Sequence, residues 1–228
     1  MTVSANITGG GSSFLKSGVG ALYLTGSNSY GSTTWINSGT LVNDGTISNT
    51  SGVIIQQGAT LAGTGSVTSG SGYTVYGALA PGNPGSIGTL TLGLNSGALN
   101  FLAGSSLAFD ISGATSDTLK FTGVGDWLAG SGNATLALNA SGVQTDTPYV
   151  VFQNVSTSGF TFADISGTPV GYTPTLTFTG ADGGAFGAEY ADDYVLTFTE
   201  TPEPSTYAMM LGGLVLLGFC VRRRVACG

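Results

Sequence analysis

Carboxylates are the side chains of this sequence with the greatest potential for chemistry. Glycoside hydrolysis needs two carboxylates roughly 5–10 Å apart, and two candidate pairs stand out, Asp110 with Asp117 and Asp192 with Asp193. Adjacent residues of a strand point to opposite faces, so Asp192 and Asp193 make a poor pair. Polysaccharide lyases instead need a base and a cation, and residues 1–201, the body of the chain, hold only two lysines, Lys16 and Lys120. We expect both lysines to be solvated at the surface.

An acidic segment near the end of the body is the one candidate for a metal site. Carboxylates and the backbone carbonyls of a glycine-rich loop can bind Ca²⁺, and the segment offers Asp182, Glu189, Asp192 and Asp193. It has neither the spacing of an EF-hand nor that of a calcium-binding β-roll, so a hydrated turn is the preferred interpretation. Whether it binds calcium stays open.

Two residue types that usually carry chemistry are missing from the body. The chain has no histidine, and its two cysteines, Cys220 and Cys227, both lie near its end. The commonest general base and the thiolate metal ligands are therefore unavailable to the body. We predict a protein that is not an enzyme, with no catalytic residues, no cofactor and no metal.

Aromatic side chains and net charge bear on binding partners. Tyr30, Trp35, Tyr73 and Tyr76 can be proposed as a sugar-stacking face, although packing in the core or at its rim is preferred. A carbohydrate-binding adhesin is thus one alternative function, and a β-helix polysaccharide-degrading enzyme a less favoured one. Residues 1–201 carry 11 carboxylates against two lysines, which argues against nucleic acid as a partner.

Composition indicates which elements must position these side chains. Glycine accounts for 39 residues and charged residues for only 7%, against roughly 25% in ordinary soluble domains. Glycine, serine, threonine and asparagine disfavour helix, whereas Thr, Val, Tyr and Phe suit strands separated by Gly and Asn turns. Strands of two to five residues with a turn every few residues predict an all-β solenoid rather than a sandwich.

Two segments of the body resemble the autotransporter-associated β-strand repeat. Residues 16–42 follow its pattern of Lys-x-Gly-x-Gly, a Leu-Thr-Leu-like strand, Asn-x-Tyr and Thr-Thr-x-Ile-Asn-x-Gly-Thr-Leu, and residues 77–92 contain its Ala-Pro-Gly turn. The resemblance implies a right-handed parallel β-helix over residues 1–112. Residues 113–200 contain longer strands and resemble the closing region that follows such repeats, so we predict a β-rich C-terminal cap there.

Residues 201–228 have a different organisation. The motif Pro202-Glu203-Pro204 is followed by an uncharged run over residues 207–221 and then by Arg222, Arg223 and Arg224. We predict one transmembrane helix over about residues 205–221. The three arginines place its C-terminal end in the cytoplasm and the body outside it. A helix of about 15 residues is roughly 22 Å long, shorter than a hydrocarbon core of about 30 Å.

This order of parts resembles the PEP-CTERM sorting signal. The resemblance implies an exosortase, a membrane processing enzyme of Gram-negative bacteria, as the partner. It would cut the precursor, which sits transiently in the inner membrane, near Pro202-Glu203-Pro204 and release the body to the cell surface or extracellular matrix. Extracellular polysaccharide is a further candidate partner there. An exported protein needs a signal peptide, and residues 1–10 lack its basic start and apolar run. We therefore expect either a longer natural protein or an earlier start.

Overall fold

The computed structural model describes residues 1–123, 128–145, 147–155 and 158–201, and strands make up most of it. In chain order these are β1 (Thr2–Val3), β2 (Thr8–Gly9), β3 (Phe14–Lys16), β4 (Ala21–Leu24), β5 (Ser27–Tyr30), β6 (Thr34–Ile36), β7 (Gly39–Asn43), β8 (Thr46–Thr50), β9 (Val53–Ile55), β10 (Ala59–Gly63), β11 (Ser66–Ser69), β12 (Tyr73–Val75), β13 (Ala78–Pro81), β14 (Thr89–Leu94), β15 (Leu99–Phe101), β16 (Ser106–Ser112), β17 (Thr115–Ser116), β18 (Thr118–Gly123), β19 (Leu128–Ala129), β20 (Thr135–Ser141), β21 (Tyr149–Gln153), β22 (Asp164–Ser166), β23 (Tyr172–Phe178) and β24 (Tyr194–Glu200). Two short 3₁₀ helices, Gly184–Phe186 and Ala188–Tyr190, lie between β23 and β24.

The strands form three sheets, and from β1 to β16 every third strand of the chain becomes a neighbour. Sheet A has the order β1-β4-β7-β10-β13-β16-β20-β22, with β17 beside β16. Sheet B runs β2-β5-β8-β11-β14-β18-β21-β24-β23, and sheet C runs β3-β6-β9-β12-β15-β19. Successive coils pair in parallel in all three sheets. The prediction of an all-β fold with parallel, β-helix-like coils is confirmed at this level.

Inward-facing leucines hold the coils in register. In sheet A one ladder of paired positions consists, coil by coil, of Leu22, Leu41, Leu61, Leu79, Leu107, Leu136 and Ile165. Strand side chains alternate between faces, so each of these coils adds a residue of this ladder to the apolar core. A slip of one residue would move the ladder to the solvent face.

A column of glycines marks the corner between sheets A and B. A Cβ on Gly45 would lie 2.1 Å from the carbonyl oxygen of Gly26, and one on Gly65 would lie 2.1 Å from the carbonyl oxygen of Gly45. No side chain fits where the backbone of one coil packs so closely on the next. Glycine thus permits the close stacking of coils at this corner.

The solenoid widens along its length. The leucine ladder advances 20 and 18 positions from Leu41 to Leu61 and Leu79, but 28 and 29 positions from Leu79 to Leu107 and Leu136. Parallel pairing of β16 with β20 and of β20 with β22 carries sheet A well past residue 112. The division into a repeat over residues 1–112 and a cap over residues 113–200 stays a prediction.

The last two strands end the stack with a change of direction. β24 pairs antiparallel with β21 on one side and with β23 on the other. An aromatic cluster fills the core beneath them, with Phe152 in ring contact with Phe121, Phe160, Phe162 and Tyr194. This arrangement closes the apolar core under the final parallel coil, as terminal repeats of a solenoid must.

Within the described residues, neither 3₁₀ helix has the length or apolar character needed to span a bilayer. The transmembrane helix predicted for residues 205–221 lies outside them.

Candidate functional site

The structure brings the first predicted carboxylate pair together. Asp110 lies on β16, and a tight antiparallel turn from β16 to β17 returns the chain so that the N–H of Asp117 donates to the carbonyl oxygen of Asp110 at 2.9 Å. The two side chains border a cleft of about 230 Å³ on sheet A. The cleft is otherwise lined by Thr40, Thr60, Ala62, Ala80, Ala108 and residues 81–85.

Both carboxylate oxygens of Asp117 are engaged by backbone groups. Oδ1 accepts from the N–H of Gly88 at 2.8 Å, and Oδ2 accepts from the N–H of Asp110 at 2.8 Å. The side chain is only 1% exposed. Burial raises the pKa of Asp117 to about 6, and the hydrogen bonds from Asp110 and Gly88 partly oppose that rise. The carboxylate therefore ties the β13–β14 loop to sheet A.

Asp110 is more exposed to solvent than Asp117. Its Oδ1 accepts a hydrogen bond from Nδ2 of Asn139 on the next coil at 3.0 Å. Neither Lys16 nor Lys120 lines the cleft. Among the described residues, the cleft offers hydrogen-bond acceptors beside small side chains.

The expectation of a solvated Lys16 is wrong. This residue pairs with Ile36 at the start of an inward-facing ladder of sheet C, and its side chain is 5% exposed. Its ammonium donates to the carbonyl oxygens of Gly18 at 2.7 Å, Ser38 at 2.9 Å and Ser17 at 3.3 Å. The aliphatic stem packs in the core while the charge reaches backbone acceptors at the corner. The Lys-x-Gly-x-Gly spacing was the signal that could have revealed this, because Lys16 binds a carbonyl of that same turn.

The carboxylates of the second predicted pair, Asp192 and Asp193, do not form a common site. Asp193 is buried and accepts from the N–H of Asn154 at 2.9 Å, whereas Asp192 is partly exposed and has a positive φ of 57°. Burial raises the pKa of Asp193, opposed by the bond from Asn154. Asp193 thus fastens the long β23–β24 connection to the end of β21. Its neighbour Thr179, which sequence reasoning missed, accepts from the N–H of Asp193 and donates to the carbonyl of Tyr190.

The acidic segment does not gather into a metal-binding group. Asp182 accepts from the N–H of Gly184 at 3.1 Å, as in a local turn. Among the residues that the structure describes, no three histidine, cysteine or acidic side chains lie close enough to share an ion.

The proposed aromatic face is split between core and surface. Tyr30 and Tyr73 are buried, and the Tyr73 hydroxyl donates to the carbonyl oxygen of Val67 at 2.6 Å. Trp35 is half-buried on the outer side of sheet C, and Tyr76 is 41% exposed. Two of the four aromatic residues are therefore out of reach of a ligand.

The junction with the C-terminal segment has a defined geometry. β24 ends at Glu200, which pairs with Tyr172 at the start of β23. The N–H of Thr201 then donates to the carbonyl oxygen of Gly171 at 2.8 Å. The chain is thus held in the sheet up to the residue before Pro202.

Residues 200–224 match the PEP-CTERM protein-sorting motif. The match supports an exported, surface-directed protein whose precursor is processed at the membrane by an exosortase. It starts at Glu200, inside the last strand, so that the motif directly adjoins the folded body. No curated protein matches the chain.

The predicted sorting residues lie outside the described part of the structure. They are Pro202, Glu203 and Pro204 of the motif and Arg222, Arg223 and Arg224 of the basic end. Their individual roles stay predictions.

Proposed function

We propose that this chain is a structural protein of the cell surface or extracellular matrix, delivered there by an exosortase. In the precursor, residues 205–221 span the inner membrane, and Arg222, Arg223 and Arg224 hold the C-terminal end in the cytoplasm. The exosortase cuts near Pro202-Glu203-Pro204 and releases the body. The observation that carries this proposal is the sorting-motif match over residues 200–224.

The contacts of the body support a structural role rather than a catalytic one. Asp117 uses both carboxylate oxygens on backbone N–H groups, and the body has no histidine and only two lysines. Asp110 and Asp117 are nevertheless the pair that a glycoside-hydrolysing enzyme would use. Turnover of a neutral or acidic polysaccharide that disappears in Asp110→Asn would overturn the structural interpretation.

The alternative of a carbohydrate-binding adhesin now depends on Trp35 and Tyr76, because Tyr73 is buried. Saturable binding of a polysaccharide that is lost in Tyr76→Ala would favour the adhesin. Unchanged binding in that variant would count against it.

We also propose that the coils belong to the autotransporter-associated β-strand repeat and are right-handed. Lys16, Asn28 and Tyr30 occupy positions of the repeat pattern and are all buried polar side chains bonded within or between coils. An electron-density map that traces the hand of the coils tests this proposal directly.

The sorting proposal is tested by mass spectrometry of the mature C-terminus in a host that carries an exosortase. We expect a C-terminal peptide that ends near residues 202–204. A mature protein that retains Gly228 would overturn the proposal. Replacing Pro202, Glu203 and Pro204 with alanine should block processing, whereas Pro84→Ala, in an exposed loop of the body, should leave processing intact.

A further inference from the structure

We propose that the loop of residues 167–171 contacts the lipid surface of the membrane in the precursor, with Val170 at the point of contact. The inference rests on the proposed insertion of the C-terminal segment. It adds a second attachment of the body, made by a loop that neither the sorting motif nor the predicted transmembrane helix includes.

Hydrogen bonding fixes this loop next to the point where the chain leaves the body. Gly171 accepts from the N–H of Thr201, and Tyr172 pairs with Glu200 in the antiparallel ribbon of β23 and β24. β21 pairs with β24 only as far as Leu196. The end of the ribbon therefore extends beyond β21 and carries the loop and the exit of the chain side by side.

The chain between this exit and the apolar run is short. Five residues separate Thr201 from Tyr207, where the uncharged run begins, so six extended Cα–Cα steps join the two and span at most about 20 Å. The interfacial layer itself occupies roughly 5–8 Å on each side of the hydrocarbon core. The exit of the chain, and the loop bonded to it, can therefore lie no farther than about 15 Å beyond the headgroup layer.

The chemistry of the loop suits that position. Val170 is 100% exposed, and Pro169 precedes it. The loop itself carries no charge, because no charged residue occurs between Ile165 and Phe178; its repulsion from an anionic bilayer is thus limited to that of neighbouring carboxylates such as Glu200, the partner of Tyr172. Tyr172 lies behind the loop, half-buried against Phe198, and tyrosine is enriched at membrane interfaces.

The test compares two exposed valines in the full chain. In a Cys220→Ser/Cys227→Ser background, Val170→Cys and Val19→Cys are each labelled with an environment-sensitive fluorophore. Val19 is the matched control, because it is 94% exposed and lies in the turn after β3, on the first coil rather than the last. Each protein is reconstituted into phosphatidylethanolamine–phosphatidylglycerol vesicles that contain headgroup-quenching lipid.

We expect quenching of the label at position 170 by about twofold or more, as for a side chain in the interfacial layer, and no quenching at position 19. Equal signals at both positions, in protein that sediments with vesicles after alkaline extraction, would overturn this inference and leave the sorting proposal standing. Protein that is extracted from the vesicles would overturn both.

Discussion

The ammonium of Lys16 donates a hydrogen bond of 2.9 Å to the carbonyl oxygen of Ser38, one coil further along the solenoid. This bond joins the first coil to the second at the corner where sheet C ends, and two further carbonyls share the same ammonium. One buried cation thus satisfies backbone acceptors from two coils.

Replacing Lys16 with methionine should therefore destabilise the fold. The stem of methionine fills the apolar space, but three carbonyl oxygens lose their donor, and buried polar groups without partners cost about 1–3 kcal/mol. The midpoint of urea unfolding, followed by circular dichroism, measures the change. Lys120→Met removes the same charge from a half-buried position on β18 and should have the smaller effect; a larger loss there would contradict this assignment.

Gly45→Ala tests the close approach of coils at the glycine corner. The added methyl would meet the carbonyl oxygen of Gly26 at 2.1 Å, so coils must separate locally, and overpacking of this kind costs about 1–3 kcal/mol or more. Gly20→Ala is the control, because nothing lies within 4 Å of its Cβ position. Calorimetry should show a lower melting temperature for Gly45→Ala alone, and equal melting of both variants would refute the explanation.

The raised pKa of Asp117 predicts that the stability of the fold depends on pH. Its pKa is about 6 in the fold against an ordinary value of 3.8, so between these values the folded state binds more protons than the unfolded state. Stability from this group therefore falls as pH rises from about 4 to 6. Urea titrations at several pH values should show this decline in the wild-type chain.

Asp117→Asn should remove that contribution to the pH dependence. The variant should also be less stable than the wild type at every pH in this range, since an amide can accept from only one of the two N–H groups of Gly88 and Asp110. The difference in unfolding free energy between the wild type and Asp117→Asn should become smaller as pH rises. A difference that widens with pH would show that the hydrogen bonds outweigh burial in setting the pKa.

Phe152→Ala probes the aromatic cluster beneath the last strands. Phe152 is fully buried and contacts four other rings, and truncation of a buried phenylalanine costs about 3–5 kcal/mol. Hydrogen exchange should rise most in β21, β23 and β24. Phe186→Ala, whose ring packs against Tyr190 in the 3₁₀ region, should leave those strands protected.

The solenoid was predictable because its signal is local and repeated. Short runs such as Thr40-Leu41 and Thr60-Leu61 recur with glycine between them. In the structure Thr40 pairs with Thr60, and Leu41 pairs with Leu61. The closeness of Asp110 and Asp117 also follows from a short turn. The burial of Lys16 was not predictable from its charge, since one of its three acceptors, the carbonyl of Ser38, comes from the next coil; the Lys-x-Gly-x-Gly spacing was the local signal for the other two.

The contacts around β21, β23 and β24 could not be predicted from local sequence patterns. Thr179 and Asp193 hold each other across a connection of more than a dozen residues, and Asn154 joins them from another strand. No periodicity in the sequence encodes such a contact. The greater number of residues per coil after Leu79 could not be predicted either, because extra residues between the strands leave the leucine ladder itself unchanged.

The placement of β24 between β21 and β23 has a mechanical consequence. Tension applied to Thr201 enters the body along the axis of a strand that is paired with β23 over its whole length and with β21 from Tyr194 to Leu196. Load in that direction must shear several bonds together, rather than open them one after another from an edge. A body that is held at Thr201 would therefore resist a pulling force best when that force acts parallel to β24.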